Sequence, residues 1–472
     1  MDPRSLQFVV DACGGTLIDG VSAGEIRRVV TDSRSVQAGD LFVALKGDRF
    51  DAHEFLPGLV GRPGISALVA RGRESLAIAG LPRVVVDDTR QSLGLLAAAH
   101  RRGFGLPVVC VGGSNGKTTT KELIASVAGP RLRILKSEAS FNNDIGVPLS
   151  LLSLDSFHEA AVLEAGTNHP GELAPLVRMI SPRLGVITSI GREHLEFFGD
   201  LDGVIREEGA LAEALPGAGE GGVLFLDGDS PFASTLASRT GARVVRVGFG
   251  GANDWSAEIV SMDWTSTLFR VRCPDPAWSG VYSMNLPGRH SVPNALYALA
   301  VSCELGVEPA AARDGLAAFR PASRRLACRE VAGVRILDDT YNANADSMLA
   351  ALRTFAELPC AGRRWAVLGD MAELGEATEE AHREVGLAAA RLGIGPIVAI
   401  GRRSDITVAA SGRAVDRAFG DAEPAARLLL GELRSGDAVL VKASRSSALD
   451  RVVDRLVQEL RPCGVSGQGG LN

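Results

Sequence analysis

The 472-residue chain is 46% hydrophobic and 22% charged, which suits about three packed domains and excludes a disordered or fibrous protein. Its 50 basic and 56 acidic residues leave a net charge of −6, without the basic field that general nucleic-acid binding requires. Only five of the fifty basic residues are lysine (Lys46, Lys117, Lys121, Lys136 and Lys442), so each lysine invites a specific explanation.

Seven scattered cysteines without metal-ligand spacing fit a reducing compartment. Met1 to Arg4 lead into no long apolar segment, so no signal peptide is read. No stretch approaches the roughly 18–20 apolar residues of a membrane span. The expectation is a soluble cytoplasmic protein acting as a monomer, without nucleic-acid or membrane partners.

Residues 1–86 hold short β-type runs at 26–30, 41–44, 67–70 and 83–86, with a helix expected over 55–61. This reads as a small α/β unit. Residues 87–320 open with a helix over 89–101, then an apolar strand at 107–111, a glycine-rich loop and a helix over 117–128. Buried strands follow at 160–164, 184–188, 223–226 and 243–247, which predicts a mostly parallel sheet covered on both faces. Partial alternation through 255–260 and 268–272 predicts an antiparallel hairpin, and a helix over 293–305 closes the block.

Residues 321–472 repeat the rhythm. Strands are expected at 334–337, 365–368, 397–400 and 438–441, and helices over 347–357, 378–392, 422–433 and 448–460. This is a Rossmann-like pattern. Asp338-Asp339-Thr340-Tyr341 stands where a dinucleotide fingerprint would, so no nicotinamide site is expected. The Gly- and Ser-rich tail 464–472 reads as mobile. The fold class is α/β in three domains, with boundaries expected near 86 and 320.

Chemistry concentrates after the strand at 107–111. Gly113-Ser114-Asn115-Gly116-Lys117-Thr118-Thr119 lets backbone N–H groups face an anion at a helix N-terminus. Lys117 offers a compact charge for β/γ-phosphates, and the Thr118 hydroxyl can ligand Mg²⁺. The strict motif wants glycine at 111, where this chain has valine. ATP binding is the main inference, with an ordinary strand–helix loop as its alternative.

Other candidates sit at strand ends. Glu164 ends the run 160–164, at the crevice where open sheets bind ligands. That position suits Mg²⁺, and equally a solvated charge. His194 follows another strand, where histidines are often structural. Glu208 lies on a helix, in a charge run that normally marks a solvated face. Asn294 begins a helix in the cluster Arg289-His290-Ser291, fit either for capping or for contacting an adenine edge.

Together these segments resemble the Mur ligase family, the ATP-dependent amide ligases of peptidoglycan synthesis, and within it the D-Ala-D-Ala-adding type. The first block carries Thr31-Asp32-Ser33-Arg34, Gly39 through Gly47 with Lys46, and Asp51-Ala52-His53-Glu54-Phe55. The second carries the phosphate loop, Phe141-Asn142-Asn143-Asp144 and the Glu164 and His194 motifs. The third carries Asp339-Thr340-Tyr341-Asn342-Ala343-Asn344, Leu368-Gly369-Asp370-Met371 and Val441-Lys442-Ala443.

The resemblance implies a UDP-binding first domain, a central ATPase domain and a C-terminal ligase domain. It implies ATP and Mg²⁺ as cofactors, and UDP-N-acetylmuramoyl-tripeptide and D-alanyl-D-alanine as substrates. Lys117, Glu164, His194 and Glu208 are then the catalytic set. Thr118, Glu164, His194 and Glu208 hold metal. Asn294, Arg325 and Asp339 join the loop in holding nucleotide. Ser33, Arg34, Lys46, Asn142, Asn143, Asn342 and Asn344 contact substrate.

At one position the chain departs informatively. Relatives carry a lysine whose carbamate bridges toward metal, and Glu208 stands there. A carboxylate matches the carbamate's charge but is nearer the backbone, so it must act from a closer helix or through water. Ala345, Ala52 and Ala443 replace a proline and two glycines of the family pattern. The alternatives are another Mur-type or folylpolyglutamate-type ligase, a catalytically silent homologue, or a mechanical P-loop ATPase.

Overall fold

The computed structural model describes residues 1–21, 24–73 and 78–460, so the tail expected to be mobile lies outside the described residues. Three large sheets follow one another along the chain. The first has the order Thr16–Ile18, Arg83–Val86, Ser66–Ala70, Asp40–Val43 and Arg28–Val30. Its pairs are parallel except the one made by Thr16–Ile18.

Two expectations change here. The run 26–30 is split, because Glu25–Ile26 pairs antiparallel with Arg4–Ser5 and only Arg28–Val30 joins the sheet. The helix expected over 55–61 is a 3₁₀ helix over Ala52–Leu59, with Pro57 inside. Proline has no amide to give an α-helical ladder, whereas a short run of tighter turns accommodates it.

The second sheet has nine strands. Its parallel part runs Trp255–Met262, Arg243–Gly248, Val223–Asp227, Leu184–Ile187, Val108–Gly112, Ala160–Glu164 and Ile134–Lys136. The expected hairpin is a three-stranded extension of this sheet, in which Thr267–Arg272 and Gly280–Met284 add antiparallel. Continuous apolar strands demand cover on both faces. Helices Lys117–Ala128 and Ser291–Glu304 supply part of it and pack together.

The third sheet runs Ala327–Val331, Val334–Asp339, Ala438–Lys442, Arg364–Gly369, Ile397–Ile400 and Arg417–Phe419. All neighbours are parallel except Ala327–Val331, an antiparallel edge strand that the apolar pattern did not announce. Its exposed Arg329 and Glu330 explain why.

Five side-chain contacts tie the carboxyl ends of the second sheet to the third block. Arg192 pairs with Asp346 and Glu384, each at 2.7 Å. His194 Nδ1 meets Glu373 Oε2 at 2.5 Å. Asn344 Nδ2 donates to Asn115 Oδ1 at 3.0 Å. The Ser140 hydroxyl touches the Tyr341 hydroxyl. No described helix is long and apolar enough to cross a membrane.

Candidate active site

Strand Val108–Gly112 lies between Leu184–Ile187 and Ala160–Glu164, with Ile187 opposite Gly112 and Glu164 opposite Val111. The phosphate loop therefore leaves the sheet with Glu164 on one side and Thr188-Ser189 on the other. Gly113 takes φ +104°, and a Cβ there would lie 2.5 Å from Thr188 Oγ1. Gly116 takes φ +89°, and a Cβ there would lie 2.6 Å from Asn294 Oδ1. Only glycine meets both demands.

The loop's amides divide into two sets. Gly113 N–H donates to Glu208 Oε2 at 2.6 Å and Asn115 N–H to Ser189 Oγ at 3.0 Å. Ser114 N–H donates to the Ser189 carbonyl at 2.8 Å. These amides are spent on the protein. Those of Gly116, Lys117, Thr118 and Thr119 have no hydrogen-bond partner among the described residues. They are the open donors of a helix N-terminus, the arrangement that receives phosphate.

Lys117 Nζ reaches back to the carbonyls of Gly113 and Ser114, with Glu193 Oε2 at 3.6 Å. Burial pulls this ammonium toward neutrality, but the carboxylates of Glu193, Glu208 and Glu164 outweigh it and hold its pKa above the ordinary lysine value. Thr118 Oγ1 donates to Glu164 Oε2 at 2.7 Å. The other oxygen of Glu164 accepts from Asn142 Nδ2 at 2.9 Å.

Glu208 is 1% exposed, not on a solvated face. It sits on helix Leu201–Glu213 and reaches the loop directly. Its Oε1 is buried with no hydrogen-bond partner among the described residues. Burial foremost holds this carboxyl well above the ordinary carboxylate range, against the opposing pull of Lys117. A Cβ on Gly112 would lie 2.9 Å from Glu208 Oε2, so a third glycine makes room for this acid.

Other predicted residues gather less tightly. Asn294 is buried and accepts from Thr120 Oγ1 at 3.2 Å, under the loop rather than capping its own helix. Arg325 stacks on the Tyr341 ring at 4.0 Å, and its charge is felt at Lys117 across the gap between blocks. Asp339 pairs with buried Lys442 at 2.6 Å and accepts from Leu326 N–H at 3.2 Å. Lys442 also holds the Asn342 carbonyl at 3.0 Å.

Asn143 accepts from Gly146 N–H at 2.9 Å, and Asn344 caps helix Ala345–Glu357 through Ser347. Ser33, Arg34 and Lys46 belong to the first block. Arg34 pairs with Asp32 at 2.7 Å, and Lys46 is exposed on a bridge to Asp51. Among the described residues no three His, Cys, Asp or Glu side chains gather closely enough to hold a metal alone. Glu164, His194 and Glu208 are therefore no ready-made cage, and His194 is turned to Glu373.

Residues not singled out from the sequence matter too. Ser189 anchors the loop, Ser137 Oγ accepts from Glu164 N–H at 2.9 Å, and Glu193 faces Lys117. Serines at strand ends carry no distinguishing pattern. A cavity of about 990 Å³ opens in the third block, lined by Asp370, Arg402, Arg403, Glu423, Arg451 and Arg455. Asp370 is committed to the amides of Arg402 and Arg403, at 2.8 and 3.1 Å.

The chain matches the model of the Mur ligase middle domain over residues 111–302 and that of the Mur ligase glutamate ligase domain over 324–445. It is 37% identical to the UDP-N-acetylmuramoyl-tripeptide–D-alanyl-D-alanine ligase of Escherichia coli, over 92% of this chain and 94% of that one. A crystal structure of MurF from Acinetobacter baumannii superposes with a TM-score of 0.88 at 31% identity, covering 97% of this chain and 99% of that one. MurF ligase from Thermotoga maritima, crystallised with ADP, superposes with a TM-score of 0.80 at 27% identity, covering 92% and 98%.

His290, beside this site, gives a pH signature. Burial pushes its imidazole down to about 4, below its unfolded value of about 6.5. The unfolded chain therefore binds the extra proton, so this contribution to stability is complete above pH ~6.5 and is lost as pH falls toward ~4. Urea titrations across that window should show a shallower acid decline for His290→Gln than for the parent.

Proposed function

The chain belongs to the Mur ligase family, and from that premise we propose that it joins D-alanyl-D-alanine to UDP-N-acetylmuramoyl-tripeptide at the expense of ATP. The observation that carries the nucleotide half is the set of open amides from Gly116 to Thr119, beside a charged Lys117 and the Thr118–Glu164 pair. Relatives at 31–37% identity bear the name of this activity, which favours it over the folylpolyglutamate-type reading.

The tripeptide's terminal carboxylate attacks the γ-phosphorus of ATP. ADP leaves, and an acyl phosphate forms. The free amine of the dipeptide then attacks the acyl carbon, loses a proton and expels phosphate. Two anions meet in the first step, so cancelling charge is the main catalytic task. The open amides receive phosphate oxygens. Lys117 leaves the Gly113 and Ser114 carbonyls for the β/γ-phosphates, and Arg325 approaches from the third block.

The residues present fit Mg²⁺, which favours one or two carboxylates completed by phosphate oxygens. Thr118 and Glu164 would hold it, with the orphaned Glu208 Oε1 nearby to balance charge and His194 available on leaving Glu373. When bound, the ion would neutralise charge building on the phosphates. Asn294 would meet adenine and Asp339 the ribose side. Ser33, Arg34, Lys46, Asn142, Asn143, Asn342 and Asn344 would contact the UDP-linked and dipeptide substrates.

Residues 1–86, 87–320 and 321–472 would be the UDP-binding, ATP-binding and ligase domains of a cytoplasmic monomer. The arginine-lined cavity of the third block would read the dipeptide's carboxylate.

Phosphate release should require ATP, the UDP-linked tripeptide and D-Ala-D-Ala together. Omitting each in turn tests this, and equal release without dipeptide refutes ligation. Lys117→Met should lower kcat by about 10²–10³-fold. Arg451→Ala should raise the dipeptide's KM and leave ADP affinity alone; an unchanged KM removes the cavity from the site. Parent activity should be indifferent to added bicarbonate, since the Glu208 carboxyl belongs to the side chain and needs no CO₂ to form. Glu208→Ala should lose activity that bicarbonate does not restore, because it strands the buried Gly113 N–H at a cost of about 1–3 kcal/mol.

A further inference from the structure

Lys121 is a charge that the proposed chemistry does not use. It lies on helix Lys117–Ala128, one turn beyond the phosphate loop, and is 0% exposed. Burying an ammonium is costly unless its donors are met. Lys121 Nζ donates to the carbonyls of Ser137 at 2.8 Å and Ala139 at 2.6 Å, and lies 3.1 Å from Glu122 Oε1. Of the three donors of an ammonium, two are met by these carbonyls, and the Glu122 carboxylate stands beside the charge.

Both carbonyls belong to the irregular segment 137–143. Its backbone turns at Ala139 with φ +42°, a region that side-chain-bearing residues seldom adopt. The surroundings must therefore over-determine this turn, and Lys121 grips both sides of it.

The segment has two outputs. The first is Glu164, whose N–H is held by Ser137 Oγ at 2.9 Å and whose carboxylate is held by Asn142 Nδ2 at 2.9 Å. The second is Ser140, which touches the Tyr341 hydroxyl of the third block. The Tyr341 ring in turn carries Arg325 at 4.0 Å and Arg445 at 5.5 Å.

We propose that Lys121 is a positioning residue which, by clamping the Ser137 and Ala139 carbonyls, sets both the Glu164 carboxylate beside Thr118 and the seat on which Tyr341 docks. A purely packing role would be met by an apolar side chain of similar length. The converging point acceptors also suit a compact ammonium better than a planar guanidinium fork. Only the kinetic arm of the test rests on the ligase reading.

The experiment compares the full-length parent with Lys121→Met, Lys121→Arg, Ser140→Ala and Lys121→Met/Ser140→Ala. Hydrogen exchange of amides 137–143 should quicken by about tenfold or more in Lys121→Met, while strand Val108–Gly112 is unchanged. Its kcat per folded molecule should fall by about tenfold or more with the KM for the UDP-linked substrate unaltered, and Lys121→Arg should not restore it. The double variant should be little worse than Lys121→Met.

Unchanged exchange in 137–143, an unchanged kcat per folded molecule, full activity in Lys121→Arg, or losses that multiply in the double variant would each overturn the proposal. Should Lys121→Met not fold, Ser140→Ala decides: a lowered kcat at parental ADP affinity supports the seat, and an unchanged kcat overturns it. Exchange and ADP affinity need no acceptor, so a wrong acceptor would show in the parent's phosphate release and leave these readouts intact.

Discussion

The phosphate loop must pass between a strand end and a helix flank with no room for a side chain on either. Thr188 crowds Gly113 from one side, and Glu208 crowds Gly112 from the other. That squeeze turns the early amides of the loop inward, onto Glu208 and Ser189. The later amides, from Gly116 to Thr119, are left without a hydrogen-bond partner among the described residues. Donors aimed in advance need no reorganisation when charge develops. The buried carboxylates that steady the loop also keep Lys117 an ammonium.

The third block meets the loops beside this site. Arg192, His194, Ser140 and Asn115 all lie on loops at the carboxyl ends of the second sheet. Their partners Asp346, Glu373, Tyr341 and Asn344 lie on the corresponding loops or helix starts of the third. Side chains contributed by both blocks thus hold the loops of one against those of the other. Asn344 shows how economically this is done. One side-chain oxygen caps a helix, and the amide nitrogen grips the loop.

Much of the fold was legible where local chemistry is decisive. The helices Thr89–Arg101 and Lys117–Ala128 and the strand Ala160–Glu164 lie where the pattern put them. Asp88 caps the first helix, Gly116 opens the second, and an apolar run ending in Glu164 makes the strand. The first helix of the chain, Leu6–Cys13, was missed although Ser5 caps it and Gly14 ends it in the left-handed region. Other misses had tertiary causes. The break near Arg27 follows from which neighbour each half pairs with. The edge strand Ala327–Val331 exists because Val334–Asp339 offers it a ladder.

The sequence by itself determined the α/β alternation, the phosphate loop and the family, because these rest on short-range spacing of glycine, lysine and apolar runs. It also marked position 208 as unusual. Only the tertiary structure decided that Glu208 is buried against the loop rather than solvated. It likewise showed which loop amides remain open, and that Lys121 serves a segment sixteen to eighteen residues away. Those outcomes depend on which groups are brought together across strands and blocks. No periodicity within one segment records how deeply a carboxylate will be buried by another.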